Sequence, residues 1–413
     1  MKYKFTSLFS ETTKRDVIEI RSYVAYELIE LFETDYINEY MALRSDGGTD
    51  QISTQLEETL YDRKILADAE FDELSFLQNE YKKMQDERLT ITIMPTEKCN
   101  LRCVYCYESF DNSELSEKDY ELIFQEIQNK VAGGVKRVDI SWFGGEPLLK
   151  VDSIIDFNER LIQYANENDV EYGMGITTNG VLLDAITFEK LCESGLYSYQ
   201  ITLDGFAHDS QRIFTNKKGS FDIVYRNIIQ MLETDLDFHL AVRVNIAAGD
   251  FDLSFYDLFD KYAGDKRLHI LTRTVGNYGG KSANLPIYRD KQEIDDVLGY
   301  HNNYLSARGH NIKDDFNFAL FKNVCYASQK NAFIARANGR LNKCTIALDK
   351  EYNDIGYLDH IANRAIFFSD KDEKWTNNQL SEACKNCTKV AQCGNARCPI
   401  GKITNPEIDR CCV

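Results

Sequence analysis

Between residues 89 and 300 the hydrophobic period of the chain switches repeatedly. Apolar or alternating runs at 89–95, 137–143, 172–178, 198–204, 238–246 and 268–275 are separated by stretches of helical spacing at 116–130, 151–165, 184–193, 221–233 and 254–262. A period of two makes strands and a period of 3.6 makes helices. Strand followed by helix, repeated about six times, leaves few architectures open, because consecutive parallel strands need a crossover and a helix is the usual one. The expected fold class is therefore α/β, with a mostly parallel sheet. Ser116 with Asp119, and Ser220 before an apolar stretch, are expected helix starts.

The flanks read differently. Residues 1–88 mix strand candidates (Lys2 to Phe9, Val17 to Tyr26) with helical stretches, including INEYMALRS, ISTQLEETLYDRKI and Asp68 to Met84. They hold no cysteine. Residues 301–324 form a polar connection. Residues 325–413 carry eight of the twelve cysteines and little hydrophobic periodicity. A region with so little apolar patterning is expected to fold around inorganic clusters.

Composition narrows the partners. The net charge is −18, which repels nucleic acid and anionic membrane, and no basic patch offsets it. No stretch approaches the length of a membrane span. The opening MKYKFTSLFSETTKRD has neither a long apolar run nor a small-residue cleavage pattern, so no secretory signal is expected. Twelve cysteines without an export signal argue for metal rather than disulfides, and for a cytoplasmic, low-oxygen setting.

KCNLRCVYCYE, running from Lys98 to Glu108, holds Cys99, Cys103 and Cys106. It follows the first expected parallel strand and so falls in a loop at the carboxyl edge of the sheet, where α/β proteins place function. Three thiolates can bind three irons of a [4Fe–4S] cube and leave the fourth open to a chelating molecule. Structural zinc is the alternative, but it would want a fourth protein ligand, and no histidine or further cysteine lies nearby in sequence.

CNLRCVYC resembles the CxxxCxφC signature of the radical S-adenosylmethionine superfamily, with Tyr105 as the aromatic φ residue. The resemblance implies a partial (β/α)6 TIM-type barrel. It also implies that the open iron takes the amino nitrogen and carboxylate of S-adenosylmethionine, and that a 5′-deoxyadenosyl radical abstracts hydrogen from the substrate. Gly144, Gly145 and Glu146 match the family's GGE motif after the second strand, which implies a hold on the methionine ammonium. Thr178 and Asn179 in ITTNG, and Thr202 and Asp204 in ITLDG, match the rim that handles the cofactor's ribose and carboxylate. Arg243 could pair with that carboxylate, and Arg212 is its rival.

The late cysteines resemble the SPASM domain of peptide-modifying members of that superfamily. Cys325, Gly339 and Cys344 are followed by Cys384, Cys387, Cys393 and Cys398, then Cys411 and Cys412. Cys393 to Cys398 encloses four residues where the pattern has three, and the doubled Cys411–Cys412 leaves the last ligand open. The resemblance implies two auxiliary [4Fe–4S] clusters, three clusters in all. One would use Cys384, Cys387, Cys393 and either Cys411 or Cys412. The other would use Cys325, Cys344 and Cys398. Fully ligated relatives have a further cysteine shortly before Cys325, whereas KDDFNFALFKNV has none, so this cluster could keep an open iron for a substrate thiolate. A spare cysteine, a water or another side chain could fill it instead.

Three domains follow: 1–88, small and α+β; 89–300, the partial barrel, joined through 301–324; and 325–413, the iron–sulfur SPASM domain. The first would recognise a leader peptide in winged-helix manner, or simply pack over the barrel. The implied function is a peptide maturase that joins a cysteine sulfur to a carbon of a cysteine-containing precursor peptide, drawing electrons from a flavodoxin- or ferredoxin-like donor. Formylglycine formation in a sulfatase, carbon–carbon crosslinking and epimerisation are the alternatives. Cys192 is expected in the core and His208 near substrate; the remaining histidines are not spaced as ligands.

Overall fold

In the computed structural model of the chain, all residues are described except 15–16, 26, 279–285, 313–319, 322–323, 377–383, 385–389, 394–397 and 405–413. The chain divides into two units. One is Met1–Asp86 with Asp315–Lys330 and Glu373–Val413; the other is Glu87–Asp314 with Asn331–Asp372.

The first unit contains two small antiparallel sheets. Strand β1 (Tyr3–Phe5) lies between β5 (Gly48–Thr49) and β6 (Leu66–Asp68), and β2 (Phe9–Lys14), β3 (Val17–Ser22) and β4 (Glu27–Leu31) form a meander. Three helices accompany them: α1 (Thr34–Asp46), α2 (Gln55–Asp62) and α3 (Glu73–Glu87). Helix α2 starts on a capping box in which Thr54 and Glu57 satisfy each other's backbone N–H groups. Ile18, Ile20 and Leu31 pack with Tyr40, Leu56 and Leu60 in one core, and Leu8, Tyr23, Leu77 and Tyr81 close a second with Phe321, Cys384 and Val390.

The second unit is built on one ten-stranded sheet. Strands β7 (Arg88–Ile93), β8 (Arg137–Trp142), β9 (Glu171–Thr178), β10 (Ser198–Thr202), β11 (His239–Ile246) and β12 (Leu268–Thr274) are parallel and lie in chain order. Helices α4 (Glu117–Ala132), α5 (Val151–Glu167), α6 (Ala185–Glu193) and α8 (Phe221–Leu232) make crossovers, with a short α7 (His208–Gln211) before the last. The expected sheet is thus found. The stretch at 253–262 differs from expectation: it is a 3-10 helix. Helix α9 (Lys291–Ala307) was not foreseen and runs through position 300. Ser116 caps α4 with Asp119 as expected, but the Ser220 hydroxyl, at the start of α8, donates instead to the Arg212 carbonyl (2.7 Å).

Beyond β7 the sheet continues through β13 (Ala332–Ala335), parallel to it, and then β14 (Arg340–Asn342), β15 (Asp354–Asp359) and β16 (Arg364–Phe367), all antiparallel. Among the described residues no helix is long and apolar enough to cross a membrane.

Alternation along the strands gives this sheet two unlike faces. Val138, Ile140 and Trp142 on β8, Met174 and Ile176 on β9, and Leu240, Val242 and Val244 on β11 are buried. They lie on the helix-covered side, where Trp142 meets Phe157 of α5 edge-on at 5.5 Å and Tyr199 of β10 meets Phe188 of α6. Each large side chain buried there stabilises the fold by roughly 1.5–3 kcal/mol. The intervening residues Asp139, Ser141, Gly175, Thr177, Gln200, His239 and Arg243 are only partly buried. The inner face is therefore a polar, accessible lumen rather than a packed core, and that lumen leads to the carboxyl ends of the strands.

Candidate active site

The cysteine loop follows β7 at the carboxyl edge. It is pinned on one side by segment 211–214: Arg102 N–H donates to the Ile213 carbonyl (2.8 Å) and Val104 N–H to that of Gln211 (2.9 Å). The Arg102 side chain caps the carbonyls of Cys99 and Leu101 and lies over the Phe110 ring. The Gly-Gly-Glu loop after β8 holds the other side. Glu146 N–H donates to the Lys98 carbonyl (2.8 Å), at the start of the cysteine loop, and Gly145 N–H donates to the Glu108 carboxylate (2.8 Å), at its end. Gly145 has φ +25°, and a Cβ there would lie 2.1 Å from the Lys98 oxygen; one on Gly144, at φ +86°, would lie 2.7 Å from Met94. Both glycines are dictated by this approach.

Glu146 is fully buried. Its oxygens accept from Leu148 N–H (3.0 Å), the Thr178 hydroxyl (2.6 Å) and Asn179 N–H (2.8 Å). Burial raises its pKa against the pull of these donors. The carboxylate thus ties the loop after β8 to the end of β9, and all three interactions come from the protein. Asn179 in turn donates to Asn100 Oδ1 (2.7 Å) and lies 3.8 Å from the Cys99 sulfur.

A second set centres on Tyr105. Its hydroxyl donates to Asp204 and accepts from Arg212 Nη1 (2.7 Å) and Asn245 Nδ2 (3.2 Å). Asn245 also donates its N–H to Asp204 (2.8 Å), and its Oδ1 accepts from Arg243 Nε (2.8 Å). Arg212 is buried, and its Nε finds no hydrogen-bond partner among the described residues. Of the two arginines that sequence reasoning weighed, this is the buried one, with its unsatisfied donor beside the cysteine loop, and a carboxylate is its natural acceptor. Thr202 is buried at the end of β10, in register with Arg243.

His208 is not placed to touch substrate. It is fully buried, accepts from Asp204 N–H at Nδ1 (3.2 Å) and meets the Ser220 hydroxyl at Nε2 (2.9 Å). The Ser220 hydroxyl already donates to the Arg212 carbonyl, so Nε2 carries the proton. Cys192 is half-buried in α6, 3.3 Å from the Tyr199 hydroxyl.

The three loop thiols suit an iron–sulfur cluster. Burial pushes Cys99 and Cys106 up to about 12, helped for Cys99 by Glu146 and for Cys106 by Glu108, and it raises Cys103 despite the nearby Arg212 charge. Ionising such a set costs free energy unless a cation is bound, and metal binding removes a thiol proton outright. Among the described residues no group of three or more His, Cys, Asp or Glu side chains converges as ligands of one ion do. Cluster thiolates each take a separate iron and need no common point.

Sequence reasoning missed Glu108, Asn245 and a buried pair behind the loop. Arg336, just after β13, donates from Nε and Nη2 to the two oxygens of Glu97 (2.8 and 2.9 Å) and from Nη1 to the Leu348 carbonyl. Only the proximity of Glu97 and Glu108 to the cysteines could have drawn attention to them.

The late cysteines are described in part. In the first unit Cys384 is buried in the core, and Cys325 and Cys398 lie near enough to interact electrostatically. Cys393 ends a short helix, Val390–Cys393. In the second unit, Cys344 N–H donates to Asn353 Oδ1 (2.8 Å). Cys387, Cys411 and Cys412 fall outside the described residues.

Comparison with known proteins places these features. The family model of the Radical SAM superfamily matches residues 93–247. The chain is 34% identical over 277 residues to a GTP 3′,8-cyclase of Clostridium perfringens strain 13, covering 62% of this chain and 79% of the relative. It is 23% identical over 330 residues to a cysteine-type anaerobic sulfatase-maturating enzyme of Clostridium novyi, covering 74% of this chain and 86% of the relative. Against a probable GTP 3′,8-cyclase of Methanocella arvoryzae the chain spans under half of the relative, 44%, at 35% identity. The solved structure of anSMEcpe with bound AdoMet and Cp18Cys peptide superposes with a TM-score of 0.55 at 16% identity, over 74% of this chain and 88% of that one. That likeness supports the partial barrel.

Proposed function

The chain belongs to the radical S-adenosylmethionine superfamily of enzymes, and from that premise we propose that it matures a ribosomally made, cysteine-containing peptide by closing a thioether between cysteine sulfur and a peptide carbon. The superfamily fold implies S-adenosylmethionine and a [4Fe–4S] cluster, which when bound supply a 5′-deoxyadenosyl radical that abstracts hydrogen from the substrate. In this reading Cys99, Cys103 and Cys106 hold that cluster. The Gly144–Gly145–Glu146 loop receives the cofactor's ammonium, Thr178, Asn179, Thr202 and Asp204 line its site, and Arg212 rather than Arg243 takes its carboxylate. Tyr105 fixes the orientation of Arg212 and Asp204.

The observation that carries the peptide reading is the late cysteine series in the sequence, Cys325 and Cys344 followed by six cysteines within 384–412. Two auxiliary clusters would be held by Cys384, Cys387, Cys393 with Cys411 or Cys412, and by Cys325, Cys344 and Cys398. A stretch before Cys325 that lacks cysteine leaves the latter set one thiolate short, a place where a substrate sulfur could be held deprotonated. Residues 1–88 would bind the precursor's leader; the strand β4 lies at an edge of its sheet, and an edge can accept an added strand. The enzyme would work in the cytoplasm with a flavodoxin- or ferredoxin-like donor.

Formylglycine formation is the second reading, favoured by the match over 86% of the sulfatase-maturating relative. Mass spectrometry after anaerobic turnover of a cysteine-bearing peptide separates the two. A thioether leaves the peptide two hydrogens lighter with its sulfur resistant to alkylation. Formylglycine removes the sulfur and leaves an aldehyde.

A further inference from the structure

The inner face of the parallel sheet carries four arginines, and they are treated unequally. At the amino ends, Arg88 and Arg137 are both paired with Asp139 (2.6 and 3.0 Å), and Arg137 also meets Glu171 (3.0 Å). Toward the carboxyl ends lie Arg243 on β11 and Arg273 on β12. Register pairs Arg243 with Leu271 and Asn245 with Arg273, so both arginines project from the same face, one pleat apart. Among the described residues no carboxylate lies within 4 Å of either one; Arg243 bonds only Asn245 Oδ1, and Arg273 the Thr272 carbonyl (2.9 Å). The adjoining sequence 279–285, GGKSANL, contains no acidic residue.

In a chain with eighteen more acidic than basic charges, two neighbouring guanidiniums with no counter-ion among the described residues form a local exception. Arg273 stays accessible although protein surrounds it, and that surrounding together with the Arg243 charge lowers its pKa. The pair also adjoins the reaction site. Arg243 reaches the Tyr105 set through Asn245, and Tyr278, which interacts with Arg273, packs edge-on against Tyr107, next to Cys106, at 5.9 Å. Two forked cations facing an accessible lumen are built for an anion that bridges them. In the reading above Arg212 takes the cofactor's carboxylate, which leaves this pair for something else that enters.

We propose that Arg243 and Arg273 form a substrate subsite that binds a carboxylate of the incoming peptide, an aspartate, a glutamate or a free C-terminus close to the residue being modified. The proposal rests on the peptide reading above and adds to it a charge requirement: the enzyme selects peptides with an acidic group near the reacting position.

The test uses the anaerobically reconstituted holoenzyme and fluorescein-labelled cysteine peptides in which aspartate replaces asparagine at each position in turn. At one or more positions the aspartate peptide is expected to bind about ten-fold tighter than its asparagine twin, as a charge-assisted pair implies. Arg273→Gln should remove most of that preference, Arg243→Gln with Arg273→Gln should abolish it, and Arg273→Lys should retain part of it. Affinity for S-adenosylmethionine, read in the same samples, should change by less than about two-fold in Arg273→Gln. Equal binding of the aspartate and asparagine series overturns the proposal, as does a preference that survives the double variant. Loss of cofactor affinity with the preference intact would make the pair a cofactor contact, and displacement of the peptide by GTP, abolished in Arg273→Gln, would make it a phosphate site; either result overturns it. If no cysteine peptide binds while S-adenosylmethionine is still cleaved, the peptide reading itself fails.

Discussion

Arg336→Met should destabilise the second unit strongly. Arg336 is 5% exposed and Glu97 3%, and the two meet through parallel bonds of 2.8 and 2.9 Å. Methionine nearly matches the volume of the lost stem but leaves the Glu97 carboxylate buried without its cation and the Leu348 carbonyl without its donor. Removing one partner of such a pair costs about 3–5 kcal/mol. With an m-value of about 3 kcal/mol per molar urea, the midpoint should fall by about 1 M or somewhat more. Fluorescence of Trp142, fully buried in this unit beside Phe157, reports the transition. Adding Glu97→Gln to the variant removes the stranded charge and should restore more than half of the loss, the sign of true coupling. A midpoint within about 0.3 M of wild type, or a double variant less stable than Arg336→Met, would refute the reasoning.

Three further outcomes follow from the site. Gly145→Ala cannot keep φ +25° with its Cβ against the Lys98 carbonyl, so 5′-deoxyadenosine release, measured by chromatography, should drop more than about ten-fold; near-normal release would show that the loop accommodates the methyl. Tyr105→Phe removes the hydroxyl that bridges Asp204 and Arg212, and losing a hydrogen bond to charged partners costs about 1.5–3 kcal/mol. The concentration of S-adenosylmethionine giving half-maximal cleavage should rise about ten-fold, and an unchanged value would remove Tyr105 from the site. Burial lowers His208 to about 3, with Arg212 adding to the effect. A histidine depressed in the folded state stabilises fully above its unfolded pKa of about 6.5, and this contribution is lost as pH falls toward the folded value. Between pH 7 and pH 5, wild type should therefore lose about 2 kcal/mol more than His208→Gln; parallel pH profiles would contradict a buried neutral ring.

The parallel sheet was legible because its strands are apolar or alternating runs, β8 the clearest. RVDISW sends Val138, Ile140 and Trp142 to the helices and Asp139 and Ser141 to the lumen, a period that survives without any knowledge of the fold. Cys99, Tyr105, Glu146, Thr178, Asn179, Asp204 and Arg212 were readable from local strings, and the structure gathers them at one edge. What escaped the sequence was non-local or short. Arg336 and Glu97 are 239 positions apart, with no periodic signal between them. AFIA and RLN, in β13 and β14, are too brief to show a period and lie among cysteines that drew the reading toward inorganic clusters. The 3-10 helix at Leu253–Tyr262 has the apolar spacing of an α-helix, and spacing alone does not separate the two. His208 follows the ITLDG rim in sequence, but its ring turns inward to brace Asp204 and Ser220.

The most direct measurement of the central claim is cofactor cleavage by the anaerobically reconstituted chain. Reduced and supplied with S-adenosylmethionine, the wild-type protein should release 5′-deoxyadenosine and methionine, and a variant with Cys99, Cys103 and Cys106 all changed to alanine should release neither. Silence from the wild type, or continued release from the triple variant, would contradict the assignment of those three thiols to the reactive cluster.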